Sequence, residues 1–262
     1  MKLGLENRTA LVFGAGGGLG GAIARALAQE GCKVVAADAR LERAQQTAED
    51  INTLKMGPVM ALEWELSRLD LITPNIGRVE REYGPVEILV NNTGGPPPTP
   101  VAGQDAEQWE AYFRSMVLPV IAVTDRVLPA MKKAGWGRII TSTSSGILTP
   151  IPNLGISNTL RVSLAGWSKT LAGEMGVHGI TSNILMPGRI ATQRIGYLDE
   201  QKAAREGRSV EDVQNESTRS IPLRRYGRPQ EYANAAVFLA SEAASYITGS
   251  ILRVDGGLVP SI

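Results

Sequence analysis

Short apolar runs alternate with longer amphipathic stretches along almost the whole chain of 262 residues. The apolar runs are brief, rich in β-formers and apolar throughout, which is typical of parallel strands that helices cover on both faces. Such alternation predicts βαβ units with right-handed crossovers, and so one domain over 1–262: a doubly wound α/β three-layer sandwich with a seven-stranded parallel sheet. The predicted strands are 9–13, 33–38, 59–64, 86–92, 137–143, 180–186 and 249–255. Helical patterns separate them, for example over 22–30, 41–51 and 107–134.

Composition excludes several classes of function. The formal net charge is +1, and no long basic run is present, so we expect no nucleic-acid partner. No apolar run approaches the roughly 18 residues of a membrane span. Glu6 and Arg8 stand where a signal peptide needs its apolar centre, which predicts a cytoplasmic protein. The lone Cys32 excludes an internal disulfide, and its place in a turn entering the core makes it a poor nucleophile.

A glycine-rich segment, FGAGGGLGGAIA, follows the first predicted strand and opens the first predicted helix. In that setting, glycines permit a tight turn and a close approach of the backbone to a pyrophosphate at a helix N-terminus. A flexible surface turn is the alternative interpretation. The residues that we expect to contact a dinucleotide here are Gly14, Gly17, Gly18, Leu19 and Gly20.

Asp38 ends the second predicted strand, eighteen residues after Gly20. A carboxylate at that place accepts hydrogen bonds from an adenosine ribose and repels a 2′-phosphate, so the sequence favours NAD(H) over NADP(H). Arg40 lies close enough to turn toward a phosphate, which would favour NADP(H). Asp38 could also cap the helix that begins at Leu41, and this role is compatible with either cofactor.

Three further motifs resemble the short-chain dehydrogenase/reductase family, which has a Rossmann-type fold. NNTG (91–94) is similar to the family's Asn-Asn-Ala-Gly, and NILMPGRIAT (183–192) to its Asn-x-x-x-Pro-Gly-x-x-x-Thr. The segment 227–257 resembles the family's last helix and strand, and the resemblance is greatest to 3-oxoacyl-acyl-carrier-protein reductases. It implies a homotetramer and further cofactor contacts from Glu65, Leu66, Asn92, Gly94, Pro187, Gly188, Ile190 and Thr192.

The segment 138–172 resembles the family's catalytic segment with two residues replaced. Ser144 stands at the position of the catalytic serine, and thirteen residues later Ser157 stands where the family has tyrosine. Arg161 occupies the lysine position, four residues further on. Counting seven residues past Trp109 places Met116 at the position of the family's asparagine. The resemblance therefore implies that only Ser144 of the four catalytic residues is retained.

These replacements change what the site can do. Ser157 carries a hydroxyl that is far less acidic than a phenol, on a shorter side chain. Arg161 stays protonated, so it can bind ribose hydroxyls but cannot relay a proton. Ser144 and Ser145 could hold a carbonyl. The polar segment 193–222 is predicted to form a mobile helical flap, from which Tyr197 could swing inward as a proton donor. The only histidine, His178, is predicted to lie on the surface.

The sequence favours an NAD(P)(H)-dependent oxidoreductase that acts on a carbonyl or alcohol with an atypical proton donor, for which Tyr197, water and the substrate are candidates. A catalytically silent NAD(H)-binding sensor or partner subunit is the alternative. A non-redox enzyme on the same fold is a third hypothesis. No metal site is predicted. Four residues, Val101, Ile147, Leu148 and Ile151, suggest an apolar wall suited to a small acyl substrate.

Overall fold

A computed structural model describes residues 3–262, so Met1 and Lys2 of the predicted domain lie outside the described residues. Seven parallel strands form one sheet in the order β3-β2-β1-β4-β5-β6-β7, which confirms the predicted Rossmann-type sheet. The order reverses between β1 and β4, where a crevice opens at the carboxyl ends of the strands. The strands are β1 (Thr9–Phe13), β2 (Lys33–Asp38), β3 (Val59–Glu63), β4 (Ile88–Asn91), β5 (Gly137–Ser142), β6 (Ile180–Pro187) and β7 (Ile251–Val254).

Helices cover both faces of the sheet. One buried apolar cluster joins the sheet to α1, α2 and α9, and a second joins it to α3, α5 and α6. Among residues 3–262, no helix is both long enough and apolar enough to cross a membrane. The helices are α1 (Gly18–Gln29), α2 (Leu41–Thr53), α3 (Ile72–Tyr83), α4 (Ala106–Met116), α5 (Leu118–Ala134), α6 (Gly155–Met175), α7 (Gln193–Glu206), α8 (Val210–Ser220) and α9 (Pro229–Ala240).

One helical prediction was wrong. A single helix was expected over 107–134, but α4 ends at Met116 and α5 begins at Leu118. Pro119 lies in the first turn of α5, where its missing N–H cannot bond the carbonyl of Ser115, and the helix is interrupted there. The polar segment 193–222 forms α7 and α8, as a helical flap would, and its mobility stays a prediction.

Cys32 lies fully buried before β2, and its thiol donates a hydrogen bond to the Leu5 carbonyl at 3.4 Å. Burial raises the pKa of the Cys32 thiol to about 12. Since the thiolate is the reactive form, we expect no iodoacetamide adduct on the native protein at about pH 8 and one adduct after unfolding, measured by intact mass. Rapid alkylation of the native protein would contradict this burial.

Candidate active site

A cavity of about 920 Å³ opens at the carboxyl ends of the central strands. Its walls come from the loops that follow β1, β4, β5 and β6, and from α4, α6 and α7. This is the place where doubly wound sheets bind ligands, and the volume lies near the upper end of the usual range for ligand pockets.

The loop between β1 and α1 leaves backbone amides available to an anion. Gly17 is the N-cap of α1, and no side chain caps the helix. The unpaired N–H groups of a helix start, together with the helix dipole, favour a phosphate there. Gly20 serves the packing of the loop instead. A Cβ on Gly20 would lie 2.2 Å from the Gly14 carbonyl oxygen, which is too close for any side chain. Its missing side chain therefore lets α1 start against the loop.

The cavity brings together nearly all of the residues predicted to bind the cofactor. Gly20 alone among them does not line it, because the first turn of α1 buries it. Thr93 and Thr143 border the cavity as well, and within residues 3–262 their buried hydroxyls have no hydrogen-bond partner. The predicted residues that line the cavity are Gly14, Gly17, Gly18, Leu19, Asp38, Glu65, Leu66, Asn92, Gly94, Arg161, Pro187, Gly188, Ile190 and Thr192.

These features fit a dinucleotide. The start of α1 offers amides that no side chain caps to a pyrophosphate, and the hydroxyls of Thr93 and Thr143 offer unused donors and acceptors. A Cβ on Gly94 would meet no atom within 4 Å, so the backbone of this residue faces open space in the cavity. The cavity thus supplies both polar partners and backbone surface for the cofactor.

Ser144 and Ser157 lie on the wall of the same cavity, with Met116. The Ser144 hydroxyl oxygen accepts a hydrogen bond from the Gly146 amide at 3.1 Å, which leaves its own hydrogen free to donate into the cavity. Tyr197 does not line the cavity, and its ring packs under the Arg194 guanidinium at 5.5 Å. The arrangement therefore offers a hydroxyl donor at Ser144 and no phenol at the Ser157 position.

Arg161 is buried and tied to the loop after β4. Its Nη2 atom donates to the carbonyl oxygens of Thr93 and Gly94 at 3.2 and 2.8 Å. Burial lowers the pKa of Arg161 to about 10, and the charge of Arg194 contributes to the shift. The guanidinium consequently remains protonated near neutral pH and cannot act as a proton relay.

Some residues at the cavity were not anticipated from the sequence. Tyr112 borders it and precedes Met116 by four residues, a spacing that places both on one face of α4 and could have revealed it. Arg194 borders it from α7. The predicted apolar wall was largely wrong, because only Ile151 of its four residues lines the cavity. Ile147 packs into a separate apolar cluster with β6, and Val101 is exposed.

Comparisons with known proteins agree with this geometry. A family model described as enoyl-(acyl carrier protein) reductase matches residues 14–259. The chain is 36% identical to nodulation protein G of Azospirillum brasilense over 97% of this chain and 99% of that protein. It is 33% identical to the 3-oxoacyl-[acyl-carrier-protein] reductase FabG of Escherichia coli, covering 98% and 99%. The crystal structure of YwfH, an NADPH-dependent reductase involved in bacilysin biosynthesis, superposes with a TM-score of 0.92 at 31% identity, covering 97% and 99%.

The same comparisons contradict the predicted preference for NAD(H) over NADP(H), which is therefore wrong. YwfH is NADPH-dependent, and L-sorbose reductase of Gluconobacter frateurii, which superposes with a TM-score of 0.93 at 27% identity over both whole chains, was solved with NADPH. The structure supplies a physical reason. The Asp38 carboxylate accepts hydrogen bonds from the Gly16 and Arg40 amides at 3.0 and 3.1 Å, so its charge is partly satisfied by the protein itself.

Arg40 and Arg43 line the cavity beside Asp38, where cations would favour a 2′-phosphate. The family match spans residues 14–259, and both curated relatives are aligned over nearly their full lengths. The chain therefore belongs to the short-chain dehydrogenase/reductase family of NAD(P)-dependent oxidoreductases.

Proposed function

We propose that the protein is an NADP(H)-dependent reductase of a carbonyl group in a substrate that resembles a 3-oxoacyl compound. The observation that carries the proposal is the meeting of two features in one cavity: the uncapped start of α1 and the free hydroxyl hydrogen of Ser144. The similarity to FabG supports the 3-oxoacyl class. The NADPH dependence of YwfH and of L-sorbose reductase supports the cofactor.

Each residue has a defined part in this reaction. A nicotinamide cofactor held at the start of α1 and along Gly94 would supply the hydride that the carbonyl carbon accepts. Ser144 donates a hydrogen bond to the carbonyl oxygen and stabilises the negative charge that develops there. Arg161 holds the loop after β4 and offers its remaining donors to ribose hydroxyls. In this proposal solvent water supplies the proton, since the residues at the family's tyrosine and lysine positions, Ser157 and Arg161, keep their protons near neutral pH.

We expect turnover to be slow. A positioned general acid contributes about 10²–10⁴-fold to such reactions, and Ser157, at the position of the family's tyrosine, carries a hydroxyl that is a far weaker acid than a phenol. Hydride transfer retains its other requirements, namely a held carbonyl and a bound cofactor. A low rate is therefore compatible with an intact site.

The proposal is tested first by titrating the protein with NADPH and following nicotinamide fluorescence. NADPH consumption is then measured with a panel of 3-oxoacyl thioesters and simple ketones. Slow NADPH consumption that requires both the protein and the carbonyl compound would support the proposed reductase. Tight binding without consumption across the panel would instead favour a nucleotide-binding sensor or partner subunit, and absence of NADPH binding would overturn both interpretations.

Replacing Ser144 by Ala tests whether this serine stabilises the reacting carbonyl oxygen or only accepts the hydrogen bond of the Gly146 amide. We expect kcat to fall by about 10²–10³-fold, the usual loss when one donor to a developing oxyanion is removed, while the Kd for NADPH stays unchanged. Ser144 caps the short 3₁₀ helix Ser145–Ile147 by accepting from the Gly146 amide. Ser241→Ala is the matched control, because Ser241 likewise caps a short 3₁₀ helix through the amide two residues on and lies away from the cavity. An unchanged kcat in Ser144→Ala would assign the serine to capping alone.

A further inference from the structure

Two arginines line the end of the cavity that holds Ser144 and Ser157, and their side chains make hydrogen bonds to backbone carbonyls only. Arg161 donates to the carbonyl oxygens of Ser142, Thr93 and Gly94. The Arg194 Nη2 atom donates to the Pro96 carbonyl oxygen at 2.6 Å. Neither arginine takes part in an ion pair with any carboxylate in residues 3–262. A cation that is removed from water without a counter-charge is unfavourable, so this end of the cavity favours an anion.

The two guanidinium groups border one small surface. The position that a Cβ would occupy on Gly95 lies 3.4 Å from the Arg161 Nη2 atom and 3.5 Å from the Arg194 Nη2 atom. Gly95 carries no side chain there and lines the cavity, so both groups are accessible to one ligand. Burial lowers the pKa of both arginines, and the charge of Arg194 lowers the pKa of Arg161 further. An anion between them would relieve this repulsion.

Two other basic residues that line the cavity are already paired with carboxylates of the protein. Arg189 is paired with Asp199 at 2.9 Å, and Lys202 is paired with Glu216 at 3.0 Å. Within residues 3–262, the lining arginines without an ion pair are therefore Arg40 and Arg43 beside Asp38, and Arg161 and Arg194 beside the reacting centre. Arg161 follows Ser157 by one helical turn on α6, which places it near the carbonyl to be reduced.

We propose that Arg194, beside the positive charge of Arg161, forms a subsite for a carboxylate of the substrate, so that the enzyme prefers an oxo acid to the corresponding neutral ketone. The planar fork of a guanidinium matches the two oxygens of a carboxylate, and such charge-assisted hydrogen bonds are among the stronger polar contacts in proteins. This subsite rests on the proposed function, because the oxo group must lie beside Ser144 while the carboxylate reaches the arginines.

The test compares acetoacetate with its uncharged methyl ester. The Kd of each is measured on the full-length protein saturated with NADPH, and kcat/KM is measured where turnover occurs. We expect the acid to bind about 10- to 100-fold more tightly than the ester, the range for a hydrogen bond to a charged group, and Arg194→Gln to remove that preference. Arg194→Lys should restore part of it. Arg208→Gln is the charge-matched control, since Arg208 pairs with Glu216 outside the cavity.

The possible outcomes are distinguishable. Equal binding of acid and ester to the wild-type protein would overturn the subsite and leave the reductase standing if the ester is reduced. Arg194→Gln could instead raise the Kd for NADPH and leave the ratio of the Kd values of acid and ester unchanged. This result would assign Arg194 to a cofactor phosphate and would also overturn the subsite. Preferential binding of the acid without any turnover would keep the subsite and reject the proposed reductase.

Discussion

Replacing Ser157 by Tyr and Arg161 by Lys together should raise kcat for reduction of methyl acetoacetate by about 10²–10⁴-fold, the contribution of a positioned general acid. Both positions line the cavity, and Ser144, the partner of such a tyrosine in the family, has a free hydroxyl hydrogen there. A lysine one helical turn away would lower the pKa of the new phenol by its charge. The uncharged ester is used because the Arg161→Lys change also alters the proposed carboxylate subsite.

The matched control is Ser157→Phe combined with Arg161→Lys, which adds the same ring without a hydroxyl. A gain with Tyr and none with Phe would show that the cavity is competent and lacks only a proton donor. A similar gain in both variants would attribute the effect to packing. If neither variant gains activity, Met116→Asn is added to supply the amide of the family's proton relay, and continued failure would contradict the assigned position of the carbonyl.

Replacing Gly94 by Leu should abolish NADPH binding without unfolding the protein. Gly94 lines the cavity, a Cβ there meets nothing within 4 Å, and its backbone does not have a positive φ. The new side chain would therefore fill space that the cofactor needs while disturbing no packed neighbour. Fluorescence titration with NADPH measures the loss, and the thermal unfolding midpoint checks that the fold is retained.

Gly173→Leu provides the comparison for this experiment. Gly173 is an exposed residue of α6 with no atom within 4 Å of its missing Cβ, and it lies outside the cavity. Leucine is a better helix former than glycine, so this variant should be at least as stable as the wild type and bind NADPH equally well. NADPH affinity within a few-fold of wild type in Gly94→Leu would contradict the assignment of this cavity to the cofactor.

Local patterns in the sequence were sufficient for the architecture and for much of the candidate site. Runs of apolar residues and helical periodicity depend on neighbouring residues, so they determine the strands, the helices and the parallel sheet. The glycine loop and Asp38 lie at the ends of adjacent strands, and Ser157 and Arg161 lie one turn apart on one helix. Their placement on the wall of one cavity follows from those short separations.

Only the tertiary structure brought distant residues together. Arg194 bonds to Pro96 across 98 residues of the chain, and no periodicity connects the two. Tyr112 reaches the cavity, while Tyr197 and Ile147 do not, because the packing of α4, α7 and the segment after β5 decides which side chains face inward. The charge around Asp38 depends likewise on folded contacts with Gly16 and Arg40. The sequence alone thus determined the fold and the nucleotide loop, whereas the charge and shape of the substrate end arose from contacts between elements far apart in the chain.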